Sequence, residues 1–478
     1  SENTAVGYLA GTNITTAIKT TLVGSEVGDA ITTGDFNTAM GYNALGSETA
    51  GTRSVAVGAS TLSAQNVGGG TTVYNTAVGH IAGFAMTTGI YNTLLGAAAG
   101  DALTDADFNT AVGVFALTSD TLGSRSTAVG YNALGSQNLT SAIQAYNVAM
   151  GYDAGGDITT GIYNTCIGSI AGNQLTTGQY NTSLGYNSLG TNTTGSRNVA
   201  IGAHALEHLN VTDDSNTYNI AIGYDAGENI STGKYNTIVG SLAGDVMTTG
   251  EGNTFMGYNA AGAGDTTGNN NVGIGNTTLR DVTSGQNNTA VGTVAGQNLE
   301  SGSNNLFLGK DAGISGSPGG NITTTSNQIF LGDDNITHIY AQTNTISTSD
   351  ERDKTDFAAL TIGLDFVKAL EPVTYYWDKR SKYGDKTEES YDLNAQTPDG
   401  THKEDWMDVG FKAQAVVALE ETAGHKMSDK TNLVSNLTDD GTQYGLKYER
   451  FVPILVKAIQ EQDAIIQSLT ARIAALES

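Results

Sequence analysis

Cysteine occurs once, at Cys166, so no intrachain disulfide can brace this 478-residue chain. Basic residues are scarce: 22 Lys and Arg stand against 48 acidic residues, for a formal charge of −26. That balance argues against nucleic acid as a partner, because phosphate binding needs a basic surface. It argues equally against a polybasic membrane anchor. No run of about 18 apolar residues exists, so no membrane insertion is expected. No charged-then-apolar secretory segment opens the chain. The six histidines lack ligand spacing, and neither a metal nor a cofactor is expected. Four prolines against 62 glycines with no Gly-X-Y period exclude collagen. Robustness must come from packing and from chain association.

What is present is a repeat. The string "NTAVG" and its variants place a glycine at Gly7, Gly24, Gly41, Gly58 and Gly79, and onward to Gly332. The steps run 17, 17, 17, 21 three times over, then drift to 17, 17, 18, 17, 17, 23. Four copies thus form a 72-residue super-repeat, which Arg53, Arg125 and Arg197 also keep. A 17-residue unit is too short for a helical-pair repeat or a propeller blade, and suits one coil of a parallel β-solenoid. Alternation along the strand puts Thr and Val of "NTAVG" on one face and Ala and Gly on the other. The expectation is that the branched fourth residue fills a narrow core, while small third and fifth residues allow close approach of backbones. The "TTG" before many copies reads as a turn whose glycine takes the awkward dihedral. The leading Asn (Asn37, Asn75, Asn92, Asn109, Asn164, Asn181) is expected to stack as an amide ladder. So is the preceding aromatic (Tyr74, Tyr91, Tyr163, Tyr180, Tyr235). Nineteen coils rising about 4.8 Å each make a rod of roughly 90 Å. A recurring Asp would point to calcium sites, but the recurring polar residue here is Asn. Cys166 replaces Ala in one copy and reads as a small core residue. Asn3 already belongs to a repeat, as expected of a piece of a longer chain or of an N-terminus that docks on something.

The repeats resemble the head repeats of trimeric autotransporter adhesins, whose core also reads Asn-Ser/Thr-x-Ala-Ile/Val-Gly. The resemblance covers about residues 1–335 and implies a trimeric β-roll that binds surfaces.

At "TSDERDK" (348–354) the composition breaks, and from Ser349 the pattern becomes globular α+β. "FAALTIGLDFVKALEPVTYYWD" reads as a helix ending near Glu371-Pro372 and then a strand. "WMDVGFKAQAVVALEETAG" reads as a strand running into a helix, with Trp377 and Trp406 as core residues. The last helix carries an apolar heptad, with Val452, Ile459, Ile466 and Ile473 at a and Leu455, Leu469 and Leu476 at d. Gln462 takes one d position and either sets register or is tolerated. Taken alone, this a/d pattern favours two strands.

"SDERDK", "VGFKAQ" and "LKYERFVPILVKAIQEQ" together resemble the intramolecular chaperone auto-processing domain that ends phage tail fibres and tailspikes. Asp353 and Ala415 depart from that family's pattern. The resemblance covers about residues 347–478 and implies a Ser–Lys dyad: Ser349 attacks the Thr348 carbonyl, Lys354 is the base, and the chain is cut between Thr348 and Ser349. By spacing alone, Ser349 and Lys354 read as a polar linker at a domain boundary; the two downstream motifs turn that reading to the dyad, and Ser347 is a rival nucleophile. Both resembled families are trimeric, and a homotrimer is therefore expected over a dimer.

The expected architecture is mainly β. A solenoid shaft spans 1–346 and a chaperone domain spans 347–478, with a coiled coil at about 450–477. The expected role is that of a viral tail fibre in the virion tail, attached to the virion through sequence upstream of residue 1. It would bind a host surface receptor, a glycan, and its only peptidase activity would be on itself. A bacterial surface adhesin with a chaperone tail and a polysaccharide-degrading tailspike are the alternatives. The tailspike would need a placed pair of carboxylates, and the repeats show no singular acidic pair.

Overall fold

The computed structural model describes residues 2–213, 215–336, 338–339, 349–384 and 391–477. Two compact units divide the chain, Ser1–Leu306 and Phe307–Ser478. The expected domain boundary at 346/347 falls within residues 340–348, which lie outside the described ones.

Nineteen strands of three residues each, β1 (Thr4–Val6) to β19 (Ile329–Leu331), form one parallel sheet. Each is the centre of one repeat. Neighbours pair without slip between equivalent residues, as in Thr38↔Val55, Ala39↔Ala56 and Met40↔Val57. The fold is the expected parallel solenoid of 17-residue coils.

The inward face is the opposite of the one expected. In every strand but β1 the middle residue is buried and the third is not: Ala39 is buried while Met40 is exposed. Leu22, Leu94, Cys166, Ile238 and Phe255 all occupy the buried middle position. The branched fourth residue of "NTAVG" therefore faces outward. The parity is set by the Asn two residues before the middle one, which is also buried. Its amide satisfies backbone groups of the next coil that would otherwise be buried unpaired. Asn37 Nδ2 donates to Gly51 O at 2.8 Å, and its Oδ1 accepts from Ser54 N at 2.8 Å. Asn75 does the same with Gly89 O (2.7 Å) and Asn92 N (2.8 Å). The ladder thus runs mainly from amide to backbone. Side-chain to side-chain bonds such as Asn181 Nδ2 to Asn164 Oδ1 (3.2 Å) supplement it.

Two glycines per coil are needed for different reasons. The last residue of "NTAVG" has a left-handed backbone, and a Cβ there would strike the next coil (Gly41, φ +133°, 2.4 Å from Gly58 O). The glycine of "TTG" does not take the awkward dihedral; it is required by contact alone, since a Cβ on Gly161 would lie 2.4 Å from Gly178 O. A left-handed residue stands instead just before the Asn position, which Ser54 holds in one coil: Phe36, Arg53, Tyr74, Tyr91 and Phe108 have φ of 61°, 64°, 53°, 61° and 60°. Such a backbone costs a non-glycine residue about 1–2 kcal/mol. Stacking offsets much of this. Tyr91 lies 5.0 Å from Phe108 and Tyr163 lies 4.9 Å from Tyr180, with rings nearly parallel. Each such pair contributes about 0.5–1.5 kcal/mol. Arg125 bridges the Phe108 and Tyr146 rings at 4.8 and 5.9 Å. Arg53 and Arg197 do the same in their super-repeats. Beyond Tyr235 the aromatics stop, and the position is held by Gly252, Asn270, Asn287, Asn304 and Asn327, residue types that tolerate the left-handed region.

The second unit gathers Ile362, Phe366, Val416, Val434, Phe451 and Ile454 into a small core. After β19 its helices and strands are α1 (Leu364–Ala369), β20 (Val373–Tyr375), β21 (Asp408–Gly410), α2 (Ala413–Thr422), β22 (Ser435–Leu437), β23 (Tyr444–Leu446) and α3 (Phe451–Glu477). The strands pair antiparallel, β20 with β21 and β22 with β23. Only the first turns of α3 face this core, through Phe451, Ile454 and Ala458. The heptad residues Val452, Leu455, Ile459, Ile466, Leu469 and Ile473 are exposed in the single chain.

Candidate functional site

The break in composition opens on a single 3₁₀ turn, Glu351–Asp353. Asp350 caps it, accepting from Arg352 N at 2.9 Å. The same carboxylate holds the Arg352 guanidinium, with Nη2 to Oδ2 at 2.6 Å. Those hydrogen bonds from Arg352 keep the Asp350 carboxyl below the usual range. The turn reverses the chain so that Lys354 comes back onto the residue five before it. Lys354 Nζ donates to Ser349 Oγ at 2.5 Å and to Ser349 O at 3.3 Å. A hydroxyl and an amine in contact are what a Ser–Lys nucleophile needs. Both side chains are exposed in the single chain. Thr348 and the rival Ser347 lie outside the described residues.

A lysine acts as a base only when neutral, and its ordinary value is about 10.4. Burial favours the neutral amine. The Asp350–Arg352 pair engages the carboxylate next to Ser349 with a partner other than Lys354, while Asp353 stands next to Lys354 in sequence.

The other sequence motifs make their contacts within the second unit. Phe411 of "VGFKAQ" packs beside Phe451 (5.3 Å) and Tyr448 (6.2 Å), joining α2 to the start of α3. Glu461 of the closing helix accepts from Leu364 N at 2.7 Å at the N-terminus of α1. That backbone hydrogen bond, with Lys457 alongside, lowers the Glu461 carboxyl.

One residue escaped sequence reasoning. Glu420 on α2 is fully buried, and its carboxylate accepts from the backbone N–H groups of Leu433 (2.6 Å), Val434 (2.7 Å) and Ser435 (3.1 Å), and from the Ser435 hydroxyl. It ties α2 to β22. The signal in the sequence was an acidic residue four after Val416, on the buried face of the helix.

Trp377 and Trp406 are not core residues, contrary to expectation: they are 43% and 49% exposed. Both line a cleft of about 540 Å³ with Asp333, Asp334, Glu404 and Asp408. Trp377 Nε1 donates to Asp408 Oδ2 at 3.2 Å, and Lys379 pairs with Glu404 at 3.5 Å. A polar partner for the indole at the rim of the sheet keeps Trp377 at the surface. In the shaft, Cys166 is a core residue as expected, and burial pushes its thiol up to about 12.

Residues 349–425 match the model of the chaperone of endosialidase family. The match begins at Ser349, the residue on which the turn closes. Searches of the curated proteins and of the solved structures find no match. A chaperone segment of this family behind a β-solenoid shaft fits a protein of the tail fibre or tailspike type.

Proposed function

We propose that this chain is a homotrimeric viral tail fibre that attaches to a host surface glycan, and that its C-terminal block directs assembly and then cuts itself away. The observation that carries the reading is the Lys354 Nζ to Ser349 Oγ contact of 2.5 Å at the first residue of the chaperone match. Neutral Lys354 takes the Ser349 hydroxyl proton as Oγ adds to the Thr348 carbonyl carbon. The tetrahedral centre collapses with loss of the Ser349 nitrogen, which leaves as an amine and takes a proton. An ester joins Thr348 to Ser349 Oγ, and water hydrolyses it. Exposure of both side chains in the single chain supports a reaction that waits for assembly to desolvate Lys354. Cleavage then reports completed folding.

Two exposed apolar faces support chain association. One is the outward third strand position, with Met40, Leu95, Met150, Leu184 and Met256. The other is the heptad face of α3. Exposed apolar residues recurring on one face are the mark of an interaction site.

The test is a denaturing gel of the purified protein. Wild type yields a fragment ending at Thr348, and Ser349→Ala and Lys354→Ala each remain full length. A fragment ending at Thr348 from Ser349→Ala refutes the dyad.

A further inference from the structure

We infer that the shaft carries a subsite for an acidic sugar at Arg197, and that the first two super-repeats do not. The inference rests on the receptor-binding reading above and names the chemistry of one of its contacts. Arg197, Gln179 and Asn216 line a cleft of about 300 Å³ together with the hydroxyl residues Thr177, Thr194 and Ser196. That volume is at the low end for ligand pockets and suits a single sugar unit. None of the described lining residues is acidic, in a chain of net charge −26. Hydroxyls and amides around one guanidinium are the groups that bind sugar hydroxyls and a carboxylate.

The guanidinium is already held in place. Arg197 Nε donates to Asn216 Oδ1 at 3.0 Å, and its carbon lies 4.7 Å from the Tyr180 ring centre and 5.8 Å from that of Tyr218. A pre-ordered guanidinium loses little freedom when it binds a carboxylate. Asp213, in the loop that leads to Asn216, is engaged with Lys234 at 3.6 Å.

The super-repeat supplies its own comparison. Positions 72 residues apart are equivalent, and Arg53 and Arg125 hold the same place in the ladder. Where the third super-repeat has Gln179, the first two have Asp35 and Asp107; where it has Thr177, the second has Asp105. Those carboxylates serve the coils: Asp35 accepts from Ile18 N and Asp107 from Ile90 N, both at 2.8 Å. A fixed negative charge beside the arginine repels an anionic ligand. Only the third site has exchanged it for an amide.

The experiment uses the full chain and two probes that differ only in a carboxylate, the methyl glycosides of galacturonic acid and galactose, titrated by ligand-observed NMR. Wild type should bind the uronate at least tenfold more tightly than the neutral sugar. Gln179→Asp, which restores the residue of the first two super-repeats and leaves the ladder intact, should remove that preference. Arg125→Gln should keep it. Equal binding of the two sugars by wild type overturns the inference, and so does a preference that survives Gln179→Asp. Adsorption to host cells is measured in parallel. Adsorption without uronate preference sinks the Arg197 subsite alone, whereas a wild-type fibre that does not adsorb at all sinks the receptor reading.

Discussion

Phe255 offers the sharpest test of the inward parity of the strands. It is the middle residue of β15 (Thr254–Met256) and is fully buried, where most copies carry Ala. Its partner on the next strand, β16 (Val272–Ile274), is Gly273. A Cβ on Gly273 would lie 3.2 Å from Phe255 Cδ1 and 3.2 Å from Thr278 Oγ1, so the missing methyl leaves room for the ring. Phe255→Ala should cost about 3–5 kcal/mol through lost burial and a residual cavity. Gly273→Ala alone should cost about 1 kcal/mol or more through overpacking. In the Phe255→Ala background the ring is gone and Thr278 Oγ1 is the close neighbour that stays, so the same Gly273→Ala should cost at least about 1 kcal/mol less than in wild type. The coupling, about 1 kcal/mol or more, is within the range seen for residues in contact. Stacked coils are stabilised chiefly by their neighbours, so the effect is local. Amide hydrogen exchange of the coils from 237 to 291 is the assay. If Gly273→Ala costs the same in both backgrounds, the middle residues do not share one core and the reasoning fails.

Burial raises the Asp120 carboxyl above its ordinary value, against hydrogen bonds from Gln137 Nε2 (2.5 Å), Leu139 N (3.0 Å) and Gly123 N (3.1 Å). The folded coil then holds the proton more tightly than the unfolded chain. Its contribution is full below about 3.9 and is lost as pH rises through the folded value. Asp120→Asn should flatten that dependence in exchange rates at residues 117–139 between pH 4 and 7; Asn192, 72 residues on, already makes the equivalent bond to Gly195 N at 2.9 Å. An unchanged slope would assign the dependence to other groups. Deleting 349–478 before synthesis should give aggregates, because coil stacking exposes strand edges until it is complete. Soluble, cooperatively unfolding shaft from residues 1–348 alone would count against a chaperone role. Shortening "VGGG" (67–70), "LTSA" (139–142) and "VTDD" (211–214) together should lower cell adsorption of the fibre, since insertions in a solenoid gather on one face; full adsorption would place recognition elsewhere on the shaft.

Period, coil count and strand centres were legible in the sequence, because each coil must present equivalent residues to the coil before it. Spacing alone left Ser349 and Lys354 as a candidate pair; the resemblance read from the downstream motifs singled them out, and the contact itself needed the 3₁₀ turn capped by Asp350. Glu420 carried only the weak signal of its spacing from Val416, since a lone Glu in a helix is ordinary and its partners lie 13 to 15 residues away. The exposure of Trp377 and Trp406 was also decided in three dimensions, by a sheet of only two short strands that leaves its rim open. The clearest division concerns "NTAVG". Its alternation states that Asn and Ala share one face and Thr and Val the other, but not which face is inside. By hydrophobicity alone, Val should be inside. The tertiary structure places Asn and Ala there, because each Asn carries the donor and acceptor that two backbone groups of the next coil need once water is gone. A branched side chain in its place would leave those groups unpaired in every coil, and that cost outweighs the burial of a valine.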